Sequence, residues 1–193
     1  NTSPDWDGGQ VSLNATTVDP SARVIVTFNK GIAGTNPRGI PFRWPSNPAS
    51  PTSTELTAAQ VAYLRTNPDT GTVTAAPSPY DANSDEGNKR LLYLRGDGTN
   101  EGLATTNFRR RPTTKLGDII NSNPNFVGPP AAGYPDASYR SFASTYSTRK
   151  PMLFVGANDG MLHAFDAATG DERLAYVPRE VFGNLSALTG SAY

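Results

Sequence analysis

One stretch whose residue types could do chemistry is the tripeptide Arg95-Gly96-Asp97. A guanidinium and a carboxylate separated by a flexible glycine can bridge an acidic pocket and a metal ion in a receptor. Tripeptides also arise by chance, and an apolar run that ends at Leu94 comes directly before this one. The favoured interpretation is therefore structural, with Arg95 and Asp97 capping a strand and pairing locally, and receptor binding is the alternative.

A second candidate is the acidic stretch at residues 81–87, in which Asp81, Asn83 and Asp85 alternate. Oxygen ligands at alternate positions can converge on calcium, as in the first half of an EF-hand loop. The stretch departs from that pattern because its glycine comes one place late and Leu92 stands where a bidentate glutamate belongs. A solvated loop is therefore favoured over a weak calcium site.

His163 is the one histidine of the chain, which also has no cysteine. A transition-metal site or a Ser-His-Asp arrangement therefore has little support. The neighbouring residues alternate as in a strand, so we expect His163 to have a structural role.

Exposed aromatic side chains are a further candidate, since they stack on sugars and make adhesive contacts. Such residues also pin long loops onto a domain, which is the favoured interpretation for Phe42 and Trp44. For the loop that contains Tyr134, Tyr139, Phe142 and Tyr146, the two interpretations stay equally open.

The composition limits the classes of partner and of fold. Lysine plus arginine and aspartate plus glutamate each number 17, so no general electrostatic attraction to nucleic acid or anionic membrane is expected. With 18 glycines, 17 prolines and 36% hydrophobic residues, the chain favours short strands joined by turns over a helical bundle. No apolar run is long enough for a transmembrane segment. Because the chain does not begin with Met, we expect it to be a piece of a longer polypeptide.

The elements that position these candidates are mostly short. We predict a strand at residues 23–28, an edge segment at 39–44, a strand-like run at 90–94 and strand pieces at 116–120 and 125–127. A helix near 53–66 is expected to be capped by Thr52 or Ser53, with Glu55 as the capping-box partner of Thr52. Residues 128–148 are predicted to form a loop.

The most regular pattern is a three-stranded meander at residues 152–177. Asn158-Asp159-Gly160 is typical of a hairpin turn, and Asp166 is expected to accept hydrogen bonds from amides in a second turn that ends at Gly170. Both edges of such a meander would be open, so we expect a strand of a partner to cover them. Radial repetition of the unit in a propeller would solve the same problem.

This meander resembles one blade of the quinoprotein-like β-propellers, and several segments in order resemble the PilC/PilY family of type IV pilus tip-associated adhesins and biogenesis factors. The segments are GIPFRW at 39–44, LTAAQ at 56–60, LYLRGD at 92–97, NE at 100–101, FRR at 108–110, LGDIINS at 116–122, Tyr134, VGANDGMLHAFD at 155–166 and AYVP at 175–178. The series spans most of the chain after residue 23.

The resemblance implies a mainly β fold, namely a fragment of a modified quinoprotein-like β-propeller preceded by a loop-rich segment with one or two short helices. It divides the chain into a lead-in segment at 1–112 and the start of the propeller at 113–193, with a first blade near 151–178 and a short helix near 179–188.

The resemblance also implies a function, which is non-enzymatic. The protein would act at the pilus tip, on the outer surface of a Gram-negative bacterium, in attachment, twitching motility and the balance of pilus extension and retraction. Implied partners are type IV pilus components, a host or surface receptor, and the remaining blades of the parent polypeptide or another chain. Calcium in an Asp-rich loop is the implied ligand, and no quinone is expected.

Two alternatives share the blade motif. One is a quinoprotein-type dehydrogenase, although alcohol dehydrogenases of that type carry a vicinal cysteine pair, whereas this chain has no cysteine. The other is an outer-membrane assembly scaffold, a class of propeller that lacks the lead-in segments.

Overall fold

A computed structural model of the chain describes residues 5–31, 37–104 and 108–190. Within these ranges the strands form one mixed sheet in the order β2-β1-β6-β5-β4-β3. The strands are β1 (Ile25–Asn29), β2 (Arg38–Pro41), β3 (Asn125–Val127), β4 (Met152–Ala157), β5 (Met161–Asp166) and β6 (Glu172–Val177). The helices are α1 (Gly8–Val11), α2 (Ala58–Arg65), α3 (Glu86–Leu94), α4 (Ala137–Thr145) and α5 (Phe182–Leu185), with 3₁₀ turns at Arg179–Val181 and Ser186–Thr189.

The meander β4-β5-β6 is antiparallel, as the sequence predicts, and strands of the same chain lie along both of its edges. Strand β3 pairs with β4 antiparallel, and β1 pairs with β6 in parallel. Strand β2, which overlaps the first three residues of the predicted edge segment at 39–44, then pairs with β1 at the outside of the sheet. The chain itself therefore supplies the strands along both edges of the meander, and the expectation of a partner strand there is wrong.

One face of the sheet is packed against α2, α3 and α5. The main core cluster joins Ile25 of β1 and Val177 of β6 to apolar residues of these helices, such as Leu64, Leu91 and Phe182. A smaller cluster on the same side contains Leu13, Val155 and Phe165, with Trp6, Val18 and Leu116 against it. The lead-in residues and the meander thus share a sheet and a core in this structure, and the division at residue 112 stays a prediction.

Helix α2 begins five residues later than predicted, at Ala58. The reason is a capping box in which Thr57 Oγ1 accepts from the Gln60 amide while Gln60 Oε1 accepts from the Thr57 amide. Glu55 instead accepts hydrogen bonds from Thr52 and Ser46 in the preceding loop.

Three further predictions of secondary structure are wrong. Residues 90–94 lie in helix α3, which Asp85 caps by accepting from the Gly87 amide. Residues 116–120 form a loop and not a strand. The backbone of this loop bonds to the first turn of the meander, where the Asp118 carbonyl oxygen accepts from the Asn158 amide. The predicted loop at 128–148 contains helix α4.

Candidate functional site

The centre of the packed face holds a buried network of four charged side chains, which are Arg23, Asp159, His163 and Glu172. His163 Nδ1 lies 2.7 Å from Glu172 Oε1, and His163 Nε2 lies 3.0 Å from Asp159 Oδ2. Arg23 pairs with Glu172 through two hydrogen bonds, of 2.7 and 2.8 Å. Each carboxylate thus meets a cation, and the histidine is held at both ring nitrogens.

The protonation states follow from this geometry. Burial alone would lower the pKa of His163, but Asp159 and then Glu172 outweigh it and raise this pKa to about 9. Burial alone would raise the pKa of Glu172, but hydrogen bonds from His163 and Arg23 lower it to about 2. His163 and Glu172 are therefore both charged at neutral pH. The network matches the structural role expected for His163 and gives no group poised to exchange a proton near pH 7.

Asp159 also connects the meander to the residues before it. Its carboxylate accepts from the amide of Gly117 and from that of Met161, in addition to facing His163. A Cβ at Gly117 would lie 2.3 Å from the Asp159 nitrogen, so the two backbones approach closely. The predicted turn Asn158-Asp159-Gly160 is present, with Gly160 at a φ of 83°.

The second turn also has the predicted bonding. Asp166 Oδ1 accepts from the Ala168 amide at 3.1 Å, and the backbone oxygen of Asp166 accepts from the amide of Gly170. Gly170 has a φ of 76°, and a Cβ there would lie 2.7 Å from the ring of Trp6. Lys150 and Arg173 pair with the Asp166 carboxylate.

The structure places Arg95 of the Arg-Gly-Asp tripeptide in the interior. Its guanidinium donates to the backbone oxygens of Phe42, Pro20 and Arg23, and the residue is 3% exposed. Gly96 is also buried, at a φ of 110°, whereas Asp97 is half-buried and accepts from the Thr99 amide.

Arg95 is the C-cap residue of helix α3, so it caps a helix and not the predicted strand. The role of the tripeptide in receptor binding stays a prediction, and in this structure a receptor could reach only its aspartate.

The carboxylates of Asp81 and Asp85 both have hydrogen-bond partners. Asp81 accepts from the Asn83 amide, and Asp85 both caps helix α3 and pairs with Arg65. Asp85 is 1% exposed, so its oxygens face the interior. Among the residues that the structure describes, no group of three histidine or acidic residues is arranged to hold a metal ion. Calcium binding by these three residues, or elsewhere in the polypeptide, stays a prediction.

The aromatic residues around α4 form a continuous exposed row, which we call the aromatic surface and define as Tyr134, Tyr139, Phe142, Tyr146 and Arg149. Successive ring centroids are 5.1, 5.9 and 4.9 Å apart, and the Arg149 guanidinium lies 4.9 Å from the Tyr146 ring. Tyr134, Phe142 and Tyr146 are 60%, 40% and 45% exposed.

No residue of helix α4 is buried. The rings therefore stack on one another along one side of the helix and present their faces and edges to solvent. Of the two interpretations of these residues, this placement favours contact over pinning.

Sequence reasoning missed Arg23 and Glu172, which lie 149 residues apart, because pairing at that separation leaves no local signal. It also missed the regularity of the aromatic surface. The i, i+3, i+7 spacing of Tyr139, Phe142 and Tyr146 is a signal that could have revealed the helix.

None of the described helices is both long and apolar enough to cross a bilayer.

Comparison with known proteins agrees with the resemblance seen in the sequence. A family model described as the PilY1 beta-propeller domain matches residues 116–191. The type IV pilus biogenesis factor PilY1 of Pseudomonas aeruginosa strain PAK is 37% identical over 172 residues, which cover 84% of this chain and 13% of that protein. The protein of the same name from strain UCBPP-PA14 is 33% identical over 199 residues, covering 98% of this chain and 14% of that protein.

A third relative is a type IV pilus biogenesis factor PilY1 homolog of Xylella fastidiosa strain Temecula1. It is 44% identical over 112 residues, which cover 54% of this chain and 9% of that protein. The chain thus spans less than a sixth of the length of each of these relatives, and no solved structure matches it significantly. By its sequence similarity and its mainly β fold, the chain belongs to the PilY1 family.

Proposed function

We propose that the chain is a segment of a type IV pilus biogenesis factor that acts at the bacterial cell surface, at the pilus tip. The relatives are type IV pilus biogenesis factors by name, which supports the biogenesis role and favours it over the dehydrogenase and assembly-scaffold alternatives. The activity is docking and not catalysis. Its partners would be pilus components and a receptor on the surface to which the bacterium attaches.

The adhesive part of this function is assigned to the aromatic surface. The single observation that carries the assignment is that α4 presents a stacked row of rings and buries none of its residues. Tyrosine and phenylalanine supply large contact areas at a low entropic cost, because each has only two side-chain torsions. Arg149 adds a cation at the end of the row.

The sheet supports this role by holding both ends of the insertion that carries α4. Strand β3 ends at Val127 and strand β4 begins at Met152, and the two pair antiparallel. The insertion between them is thereby fixed at its base, while its helix is displayed to solvent. Loops fixed on a rigid scaffold are the usual carriers of binding contacts.

Alanine substitution of Tyr139, Phe142 and Tyr146 together tests the assignment. The matched control is Tyr63→Ala, since Tyr63 lies on α2 and is 47% exposed, close to the 45% of Tyr146. Each variant is introduced into the complete polypeptide in its bacterium, and surface pili, twitching and attachment are measured.

We expect the triple variant to lose attachment while the number of surface pili and the control strain stay unchanged. Unchanged attachment in the triple variant would contradict the adhesive assignment and leave the biogenesis role. Normal pilus numbers and twitching in a strain that lacks the whole polypeptide would contradict the biogenesis role itself.

A further inference from the structure

A cavity of about 390 Å³ lies beside helix α3, where the helix faces the turn at residues 19–21 and the segment that follows β2. This volume falls within the ~300–1,000 Å³ range of small-molecule sites in proteins. The cavity is separate from both the charge network and the aromatic surface. We call it the α3 cavity and define it by six of the residues that line it, which are Asp19, Arg43, Trp44, Asn88, Arg95 and Asp97.

Two of these side chains are more than nine-tenths buried, and each keeps an unused hydrogen-bonding atom. Asn88 is 8% exposed and donates its side-chain amide to the Ala82 carbonyl oxygen, but among the described residues nothing donates to its Oδ1. Arg95 donates through both terminal nitrogens, but its Nε donates to no oxygen within the same ranges. Neither atom is sealed from solvent, so a small ligand in the cavity could reach both. Because buried polar groups are nearly always paired, an unused acceptor and an unused donor at one cavity indicate a polar ligand.

The charged groups that line the cavity are balanced in sign. Asp19 and Asp97 each accept from an amide of the following turn through Oδ1, which leaves Oδ2 of both carboxylates available. Arg43 is exposed and donates to the Ser21 carbonyl oxygen through one terminal nitrogen. Two carboxylates together with the guanidiniums of Arg43 and Arg95 favour a neutral ligand with many hydrogen-bonding groups over a simple anion or cation.

Trp44 supplies an apolar wall that is held in place. Its Nε1 donates to the Tyr80 hydroxyl at 2.9 Å, and the Arg65 guanidinium lies 5.5 Å from the centroid of its ring. The half-buried side chain of Leu92 also lines the cavity. The cavity therefore combines a fixed aromatic ring with donors and acceptors of hydrogen bonds.

We propose that the α3 cavity is a saccharide-binding site. Each sugar hydroxyl donates one hydrogen bond and can accept others, so it can donate to a carboxylate or to Asn88 Oδ1 and accept from Arg43 or Arg95. The C–H groups of a sugar ring pack on an aromatic ring, which Trp44 provides. The cavity and the aromatic surface use different residues, so the proposal is independent of the adhesive assignment.

Saturation-transfer NMR on the complete polypeptide tests the proposal, because it detects weak binding of small molecules to a large protein. The probes are glucose, galactose, mannose and N-acetylglucosamine, and alanine represents a zwitterion as the competing class of ligand. The cavity variant is Arg43→Gln with Asp97→Asn, in which the new amide oxygen can still accept from the Thr99 amide. The matched control is Arg179→Gln with Asp171→Asn, whose side chains are 43% and 48% exposed and lie outside the cavity.

We expect at least one of the sugars to bind, and the cavity variant to weaken that binding by about tenfold or more, because two charge-assisted hydrogen bonds are lost. The control variant should bind the sugar as the unsubstituted polypeptide does. Both variants should keep the thermal midpoint, since the changed side chains are exposed or half-buried. Arg43→Gln alone, which changes only an exposed side chain, repeats the comparison if the pair lowers the midpoint.

Absence of binding for all four sugars, with or without binding of alanine, would overturn the proposal. Equal sugar binding by the cavity variant and the unsubstituted polypeptide would also overturn it, since the sugar would then bind elsewhere. Neither result bears on attachment through the aromatic surface, which is measured separately in the bacterium.

Discussion

The buried charge network and the aromatic surface differ in where their side chains find partners. In the network, Arg23, His163 and Glu172 satisfy one another within the packed face, and His163 is fully enclosed. In the aromatic surface, the rings stack on one another within their own row, the Tyr139 hydroxyl accepts from the Ala132 amide, and Tyr134, Phe142 and Tyr146 remain open to solvent. The charged and histidine side chains, which are the types that could do chemistry, therefore stabilise the fold. The side chains that are exposed and could contact a binding partner are aromatic.

Removing one charge from the network is expected to have the largest effect on stability. Glu172→Gln would leave the buried Arg23 and the protonated His163 without their shared carboxylate, at a cost of about 3–5 kcal/mol in the free energy of unfolding. Urea denaturation measures this difference. Glu180→Gln is the control, because the Glu180 side chain is 71% exposed and its change should stay within about 0.5 kcal/mol. Equal losses in the two variants would remove the distinction between the network and the surface.

The free energy of unfolding should also depend on pH because of the same network. The raised pKa of His163 stabilises the fold fully below the unfolded value of 6.5, and this contribution is lost as the pH rises towards about 9. At about 1.4 kcal/mol per pKa unit, the wild-type chain should lose about 3 kcal/mol between about pH 6 and pH 9 that His163→Gln does not lose. Parallel pH profiles for the two proteins, measured by urea denaturation, would be inconsistent with an ionised His163.

The lowered pKa of Glu172 acts at the opposite end of the pH range. Its contribution is present above the unfolded value of 4.5 and is lost as the pH falls towards about 2. Together the two groups predict that the contribution of the network to stability is greatest between about pH 4.5 and pH 6.5.

Alanine substitution of two glycines should have an effect of intermediate size on stability, and it compares the packed sheet with the aromatic surface. Gly170 and Gly133 both have a positive φ, of 76° and 69°, so alanine at either position should cost about 1–2 kcal/mol. At Gly170 the new Cβ would also meet the Trp6 ring at 2.7 Å, whereas nothing lies within 4 Å of it at Gly133, next to the aromatic surface. Gly170→Ala should therefore lower the free energy of unfolding more than Gly133→Ala does, by a further ~1–3 kcal/mol, and urea denaturation measures the difference. A larger drop for Gly133→Ala would mean that the aromatic segment is packed.

The smallest expected effect on stability is in the aromatic surface itself. Phe142→Ala removes a ring that is 40% exposed and lies on a helix without buried residues, so the free energy of unfolding should change by about 0.5 kcal/mol or less. Phe165→Ala is the comparison, because Phe165 is 2% exposed in the core beside Val155 and Leu13 and should cost about 3–5 kcal/mol. Similar losses would contradict the account of the aromatic surface as open to solvent.

The sequence predicts the parts of the fold that have local signals. Strands β1 and β4 to β6 carry alternating or β-branched patterns, and the turns at Gly160 and Gly170 have typical turn residues. Helix α3 is missed because its run of leucines is also typical of a buried strand, and only the Asp85 cap distinguishes the two.

Partners that are distant along the chain escape prediction for a different reason. The parallel pairing of β1 with β6 and the Arg23–Glu172 ion pair join residues about 150 positions apart, and their formation depends on packing of the whole sheet. Burial of Arg95 is a consequence of the same packing, because its three acceptor oxygens come from the segments around β1 and β2. A charged tripeptide in a sequence therefore does not indicate by itself whether it is exposed.

Amide hydrogen exchange, read by mass spectrometry for the native chain, tests the contrast between the two regions most directly. Amides of β5 and β6 around the charge network should exchange only through global unfolding, while those of α4 should exchange many times faster through local opening. Protection of α4 equal to that of β5 would show that the aromatic helix is packed and would contradict the account.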